Sequence, residues 1–309
     1  LAGRLLWQLT PLFAPVYMKK ILLFLAAACS LGTAAAQAPT PPSTATVLSC
    51  CARPATASAT EVFAMLATDK DFSGGHDAPL PYSYAGAGQI VEFKTTDGQT
   101  GHAFEIKSAK PSNKYLFVIH EWWGLNDYIK KEAAAYAQEM PGVNVLALDL
   151  YDGQVATTPE EAGKYMQAVK TERAAAIIKG AQLYAGPKAQ FASVGWCFGG
   201  GWSLQSALLG GKQVVGCVMY YGMPEKDVAK LKTLNSDVLG LFAEQDKWIN
   251  PEVVQQFEKD MAAAGKKATV KEYPADHAFA NPSNPKYNKE LATDAHQRAL
   301  AYLKARLKA

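Results

Sequence analysis

The chain is short of the patterns that usually place a protein at once. No Cys-x-x-Cys pair occurs among its five cysteines, so neither a zinc ribbon nor a redox dithiol is supported. No Gly-x-Ser-x-Gly occurs, which speaks against a serine-type hydrolase or peptidase. No internal repeat is visible. The charge excess is only +3, and the first 36 residues hold it: Arg4, Lys19 and Lys20 stand there without an acid. The remainder carries 28 basic and 28 acidic residues and nets zero, which leaves no footprint for nucleic acid or an acidic surface. A run long enough to span a membrane is also missing, since the apolar stretch from Ile21 to Leu31 is too short.

That stretch has another reading. Met18-Lys19-Lys20 is a basic start, and Ala34-Ala35-Ala36 is a small-residue exit, so residues 18–36 read as a secretory signal peptide. Residues 1–17 precede the methionine and look like upstream translation. Cleavage after Ala36 is expected, and export to the periplasm or beyond with it; lipidation of Cys29 is the alternative. Residues 37–60 are rich in Pro, Ala, Ser and Thr and read as a disordered linker. Export would expose Cys50, Cys51, Cys197 and Cys217 to oxidation, but two adjacent cysteines in a low-complexity tract do not make a disulfide framework.

Residues 61–309 are ordinary globular sequence, with 49% hydrophobic and 19% charged residues over the whole chain. Glu61 to Ala67 suggests a short helix. Gln89 to Thr95 and His102 to Ile106 alternate around Thr96-Asp97-Gly98, a hairpin signal. Beyond it, strands and helices take turns. Strands are expected at Tyr115–His120, Val143–Leu150, Phe191–Trp196, Val214–Tyr220, Val238–Phe242 and Thr269–Tyr273. Helices are expected at Tyr128–Met140, Thr158–Tyr184 (one or two), Trp202–Leu209, Pro251–Ala264 and Lys286–Leu307. Continuous apolar strands separated by helices imply a mostly parallel sheet covered on both faces.

The most telling stretch is Phe191 to Gly201. A buried strand runs into Gly195-Trp196-Cys197-Phe198-Gly199 and then into a helix, the form of a nucleophile elbow with cysteine in the serine position. Flanking glycines remove the Cβ atoms that such a sharp turn would not tolerate. The helix N-terminus favours thiolate over thiol. The competing reading is a buried structural cysteine.

A nucleophilic thiol needs a base and a group that orients it. Of five histidines, His277 follows the last strand, where the base stands in the order nucleophile, acid, histidine. His76 lies in an irregular N-terminal passage, His102 heads a hairpin strand, and His296 sits on the face of the last helix as a solvated residue. Asp246 follows the strand before last and fits the orienting acid; Glu244 and Asp276 are its rivals. Ile119-His120-Glu121-Trp122-Trp123-Gly124 follows the first parallel strand, so the Trp122 and Phe198 N–H groups could converge on an oxyanion. Glu121 could reach the sulfur or its histidine. Trp123 reads as pocket wall or core.

With these residues in hand, the chain resembles the dienelactone hydrolase family from about Gln89 to the C-terminus. The motifs are HEWWG at 120–124, LDLYDG at 148–153, GWCFGG at 195–200, EQD at 244–246 and DHAFANP at 276–282. The resemblance implies an α/β-hydrolase core and a Cys197–Asp246–His277 triad. It implies that Glu121 contacts the resting thiol and helps form the thiolate when substrate binds, with Tyr221 nearby. It also implies hydrolysis of an ester or lactone through an acyl-thioester, without cofactor or metal, in a monomer that takes a small-molecule substrate. One departure bears on specificity. The family's substrate-binding arginine four residues after the histidine is Asn281 here, and no arginine follows Asp149 through Lys170. An anionic substrate would bind poorly without a guanidinium. The rival function is a non-enzymatic binding protein that keeps the hydrolase fold.

Overall fold

The computed structural model describes residues 57–309. The expected leader, Cys29, Cys50, Cys51 and all but the end of the expected linker lie outside the described residues. The described strands are β1 (Gln89–Lys94), β2 (Thr100–Ile106), β3 (Lys114–Ile119), β4 (Asn144–Leu148), β5 (Gln190–Trp196), β6 (Val214–Tyr220), β7 (Val238–Ala243) and β8 (Ala268–Tyr273). They form one sheet in the order β1-β2-β4-β3-β5-β6-β7-β8. β1 and β2 are the expected hairpin, β2 meets β4 antiparallel, and every pairing from β4 through β8 is parallel. The inner strands β4 and β7 are buried at every position, as their continuous apolar runs require.

The helices are α1 (Ala59–Ala64), α2 (Lys70–Gly74), α3 (Asp127–Glu139), α4 (Pro159–Ala168), α5 (Thr171–Ala185), α6 (Phe198–Leu209), α7 (Val228–Leu231), α8 (Pro251–Ala263) and α9 (Lys289–Leu307). Side-chain caps fix where several begin. Thr158 and Asn250 accept N–H groups at the starts of α4 and α8, each with proline in the first turn. Asn288 caps α9 by accepting from Leu291 N–H at 3.1 Å, so that helix opens at Lys289 and not at Lys286. α1 also opens earlier than expected, and takes in Ala59 and Thr60 from the expected linker. Ser58 accepts the Glu61 N–H, while the Glu61 carboxylate accepts the Ser58 N–H at 2.8 Å, a capping box.

Two features tie the periphery to the sheet. Arg173 on α5 pairs with Asp97 in the hairpin turn and Asp152 in the loop after β4, and donates to Thr100 C=O at 2.7 Å. On α9, Arg306 pairs with Asp237 ahead of β7. α3 and α9 meet through Tyr136 and His296. His296 is therefore half-buried, packed at a tilt on Tyr136 and bonded to Glu139 at 2.7 Å, rather than solvated. Cys217 is a free, fully buried thiol within reach of Ser203, and burial pushes its pKa up to about 11.

Candidate active site

Loops leaving the carboxyl ends of β3, β5, β6, β7 and β8 supply Glu121, Cys197, Tyr221, Asp246 and His277 respectively. That edge is where parallel α/β sheets build their sites. β5 ends at Trp196 and α6 begins at Phe198, which leaves Cys197 alone at the turn with φ 57° and ψ −119°. A non-glycine residue in such a conformation costs on the order of 1–3 kcal/mol and persists only when its surroundings hold it. Here the Cys197 N–H donates to Tyr220 C=O at 3.0 Å, and the Cys197 carbonyl accepts the Gly200 N–H at 3.0 Å. The glycines are required by contact. A Cβ on Gly199 would lie 2.3 Å from the Ile119 carbonyl oxygen and 2.4 Å from that of His120. One on Gly195 would lie 2.1 Å from the Gly199 oxygen.

Cys197 Sγ is 3.3 Å from His277 Nε2, and His277 Nδ1 is 2.5 Å from Asp246 Oδ2. The other carboxylate oxygen of Asp246 accepts the Trp248 and Ile249 N–H groups at 2.9 and 3.0 Å, which fixes its orientation. An ionised carboxylate only accepts, so the proton on Nδ1 belongs to the imidazole and Nε2 faces the sulfur. All three side chains are buried. The rival acids are elsewhere: Glu244 is exposed, and Asp276 pairs with Lys286 at 3.5 Å.

The charges follow from this burial. Burial opposes the charged ring of His277, but the Asp246 carboxylate and the Cys197 sulfur outweigh it and hold its pKa well above the ordinary value. Burial likewise works against Asp246, and the His277 ring and two N–H donors bring it below the usual range. Burial pushes the Cys197 thiol up; His277 and the Phe198 N–H offset this only in part, and the Glu121 carboxylate adds to it. One proton is thus shared between Sγ and Nε2, and burial disfavours a thiolate that lacks the protonated ring beside it.

Glu121 is held by partners that its sequence position did not suggest. Its carboxylate accepts from Tyr221 OH at 3.3 Å and from Asn281 Nδ2, while Asn281 Oδ1 accepts the Ser283 N–H and hydroxyl. The hydrogen-bond partner of the thiol is His277. Asn281, expected to bind substrate, has both ends of its amide committed to the protein. Burial raises Glu121 to about 7, against the opposing pull of His277, Tyr221 and Asn281. Above that pH the carboxylate is charged and makes the neighbouring thiolate harder to form. Glu121→Gln is therefore expected to lower the thiol pKa. Alkylation by iodoacetamide, followed against pH, should reach its midpoint at lower pH in the variant; an unmoved or higher midpoint contradicts this.

A small cleft of about 30 Å³ is lined by Glu121, Trp123, Tyr128, Glu132, Trp196 and Asn281 among others, so it adjoins the elbow through Trp196 and Glu121. Trp123 is thus pocket wall. Among the described residues, no lysine or arginine lines it. The sulfur is sealed from it, at 1% exposure for Cys197. Arg173, the first arginine after Asp149, is spent on Asp97 and Asp152. Phe198 opens α6, and its N–H reaches the Cys197 sulfur. Trp122 follows β3, whose end lies against Gly199, so the two expected oxyanion donors come from adjoining chain ends.

Two residues had roles that motif reading left unassigned. His120 is buried; Nε2 accepts the Leu150 N–H at 3.1 Å, Nδ1 lies 2.6 Å from Glu121 C=O, and the ring stacks on Phe198. It braces the loops after β3 and β4. His76, set aside as part of an irregular passage, packs on Trp122 and His277 with ring centroids 4.7 and 5.4 Å away. Phe72 of α2 joins it, edge-on to Trp122 and Trp248. Burial, with the nearby His277 charge, lowers His76 to about 3, so the ring is neutral. The readable signal was the pair of caps at Ser58 and Asp69, which mark this segment as folded.

A model of the dienelactone hydrolase family matches residues 102–307. Protein usf of Aquifex pyrophilus is 30% identical over 231 residues, covering 70% of this chain and 98% of that protein. A protein of Aquifex aeolicus provisionally named carboxymethylenebutenolidase is 28% identical over 236 residues, 72% of this chain and all of its own length. A crystal structure from Klebsiella pneumoniae, provisionally described as a dienelactone hydrolase, superposes with a TM-score of 0.61 at 24% identity, covering 71% of this chain and 99% of its own.

Proposed function

This chain belongs to the dienelactone hydrolase family, a family of carboxylic ester hydrolases, and we propose that it uses Cys197 as nucleophile and passes through an acyl-thioester. The observation that carries this is the buried relay from sulfur to Nε2 at 3.3 Å and from Nδ1 to Asp246 at 2.5 Å. His277 Nε2 takes the thiol proton as Sγ bonds to the carbonyl carbon. The Phe198 and Trp122 N–H groups then stabilise the oxyanion. Collapse breaks the carbon–oxygen bond, and His277 returns the proton to the departing oxygen. Water, deprotonated by the same nitrogen, then attacks the thioester and frees the acid and the thiol. Asp246 stabilises the imidazolium at each stage.

Glu121 both lines the cavity and burdens the thiolate. A substrate entering from the cavity displaces this carboxylate from Tyr221 and Asn281, and the sulfur becomes accessible and easier to ionise in one movement. The cavity's charge bears on what enters. With Glu121 and Glu132 present and no cationic side chain among the described residues, it favours an uncharged ester or lactone over a carboxylate-bearing one.

The test is to mix the enzyme with p-nitrophenyl acetate, quench in acid and map the acyl group by peptide mass. Acetyl on the peptide containing Cys197, lost as turnover proceeds, is the expected outcome. Turnover with no acyl group on that peptide would sink the thioester. The alternative, a binding protein on a hydrolase scaffold, draws on the sealed sulfur; acylation that never turns over would favour it.

A further inference from the structure

The sulfur has a third neighbour that hydrolysis does not use. One ligating atom from each of His76, Cys197 and His277 lies within 4.8 Å of the other two, and all three residues are buried. His76 Nδ1 is 2.6 Å from the Phe72 carbonyl oxygen, so that nitrogen carries the proton, and Nε2 is left without a hydrogen-bond partner although it is buried. His277 is anchored in the same sense, with Nδ1 on Asp246 and Nε2 toward the sulfur. Two imidazoles, each tied down by Nδ1–H to an oxygen and each with Nε2 left to the side of the sulfur, reproduce the outer-sphere arrangement of metal-ligating histidines. A buried nitrogen without a partner is costly unless something uses it.

We propose that His76, Cys197 and His277 form a binding site for one thiophilic divalent cation of the zinc class, and that filling it stops hydrolysis. Zinc bonds to sulfur and nitrogen of about 2.0–2.3 Å set tetrahedral ligand atoms about 3.3–3.6 Å apart. The Cys197–His277 pair is already at 3.3 Å, so only His76 has to close in. On binding, Cys197 Sγ releases its proton to solvent and gives an electron pair to the ion. Each Nε2 gives another, and the hexaaqua ion sheds five waters and keeps one; nothing is oxidised or reduced. The fourth position stays open to water. His76 lies outside the residues that match the family, so this ligand belongs to the segment this chain adds ahead of them. The arrest rests on the hydrolase reading above; the binding does not.

Cobalt(II) added to the chelator-treated full chain reads the site directly, through sulfur-to-metal absorption in the near ultraviolet and visible bands of tetrahedral strength. One equivalent of that spectrum, displaced by zinc, is expected. Cys197→Ala should abolish the part of it due to this site, whereas cobalt on Cys50 or Cys51 would survive. His76→Gln should weaken the binding by at least the roughly 10–100-fold that loss of an outer-sphere partner alone costs. Zinc should inhibit ester hydrolysis at concentrations raised by the same factor in His76→Gln. Should that variant misfold by circular dichroism, His76→Leu fills the space and reads the same. No spectrum dependent on Cys197, or equal affinity in wild type and His76→Gln, overturns the site. A wild type that binds cobalt through Cys197 and hydrolyses no ester upholds the site and defeats the hydrolase reading instead.

Discussion

Cys197→Ala should hydrolyse aryl esters and lactones about 10⁴-fold or more slowly than wild type, measured as kcat/KM, while retaining its fold. The expectation follows from the residue's position at the one point where β5 turns into α6. There it faces His277 Nε2 at 3.3 Å, and no other side chain replaces it as a bond-forming atom. Alanine keeps the Cβ and the strained backbone, so stability should change little. The residual rate would come from binding and the oxyanion donors alone. Removing His277 as well should add little, because groups that act as a unit lose their effect together. Hydrolysis at the wild-type rate in Cys197→Ala would mean that the sulfur is structural.

The second large effect is on folding rather than chemistry. Gly199→Ala forces a methyl group to within 2.3 and 2.4 Å of the Ile119 and His120 carbonyl oxygens. The first oxygen belongs to the end of β3, which is paired on both sides in the middle of the sheet, and the second to the residue that follows it, so they have little room to move. Overpacking of flexible side chains costs about 1–3 kcal/mol, and a backbone contact that neither partner can relieve should exceed it. Denaturant unfolding should therefore show a loss of roughly 3 kcal/mol or more. Gly142→Ala is the control: an added Cβ there meets nothing within 4 Å, and a change within about 0.5 kcal/mol is expected. Equal midpoints for the two variants would mean that α6 can withdraw from the sheet.

The same contact explains why the elbow could be read from residues 195–200. Where backbones touch, only glycine fits, and that requirement is written into the local sequence. Asp246 and His277 were legible for a related reason, since a parallel sheet delivers successive strand ends to one edge in chain order. Glu121 was harder. Its partners Tyr221 and Asn281 lie 100 and 160 residues away, and no local rule announces that an asparagine amide will satisfy a carboxylate. His76 was harder still, because neither spacing nor periodicity relates positions 76, 197 and 277. At the N-terminal boundary the signal was present: Ser58 and Glu61 have the spacing of a capping box, but the surrounding Ala, Ser and Thr residues read as linker.

The stretch from Ser58 to His76 has a consequence for anyone trimming this protein. A chain cut back to the family-matching part would keep every reacting group of the relay and still lose the roof above it. Phe72 and His76 shield Trp122 and the imidazole of His277. Without them the ring that shuttles the proton would keep Tyr221 and Trp248 beside it but lose its cover on the side of Phe72 and His76, where water would weaken its attraction to Asp246. The minimal enzyme is thus longer at its front than its ancestry alone would indicate.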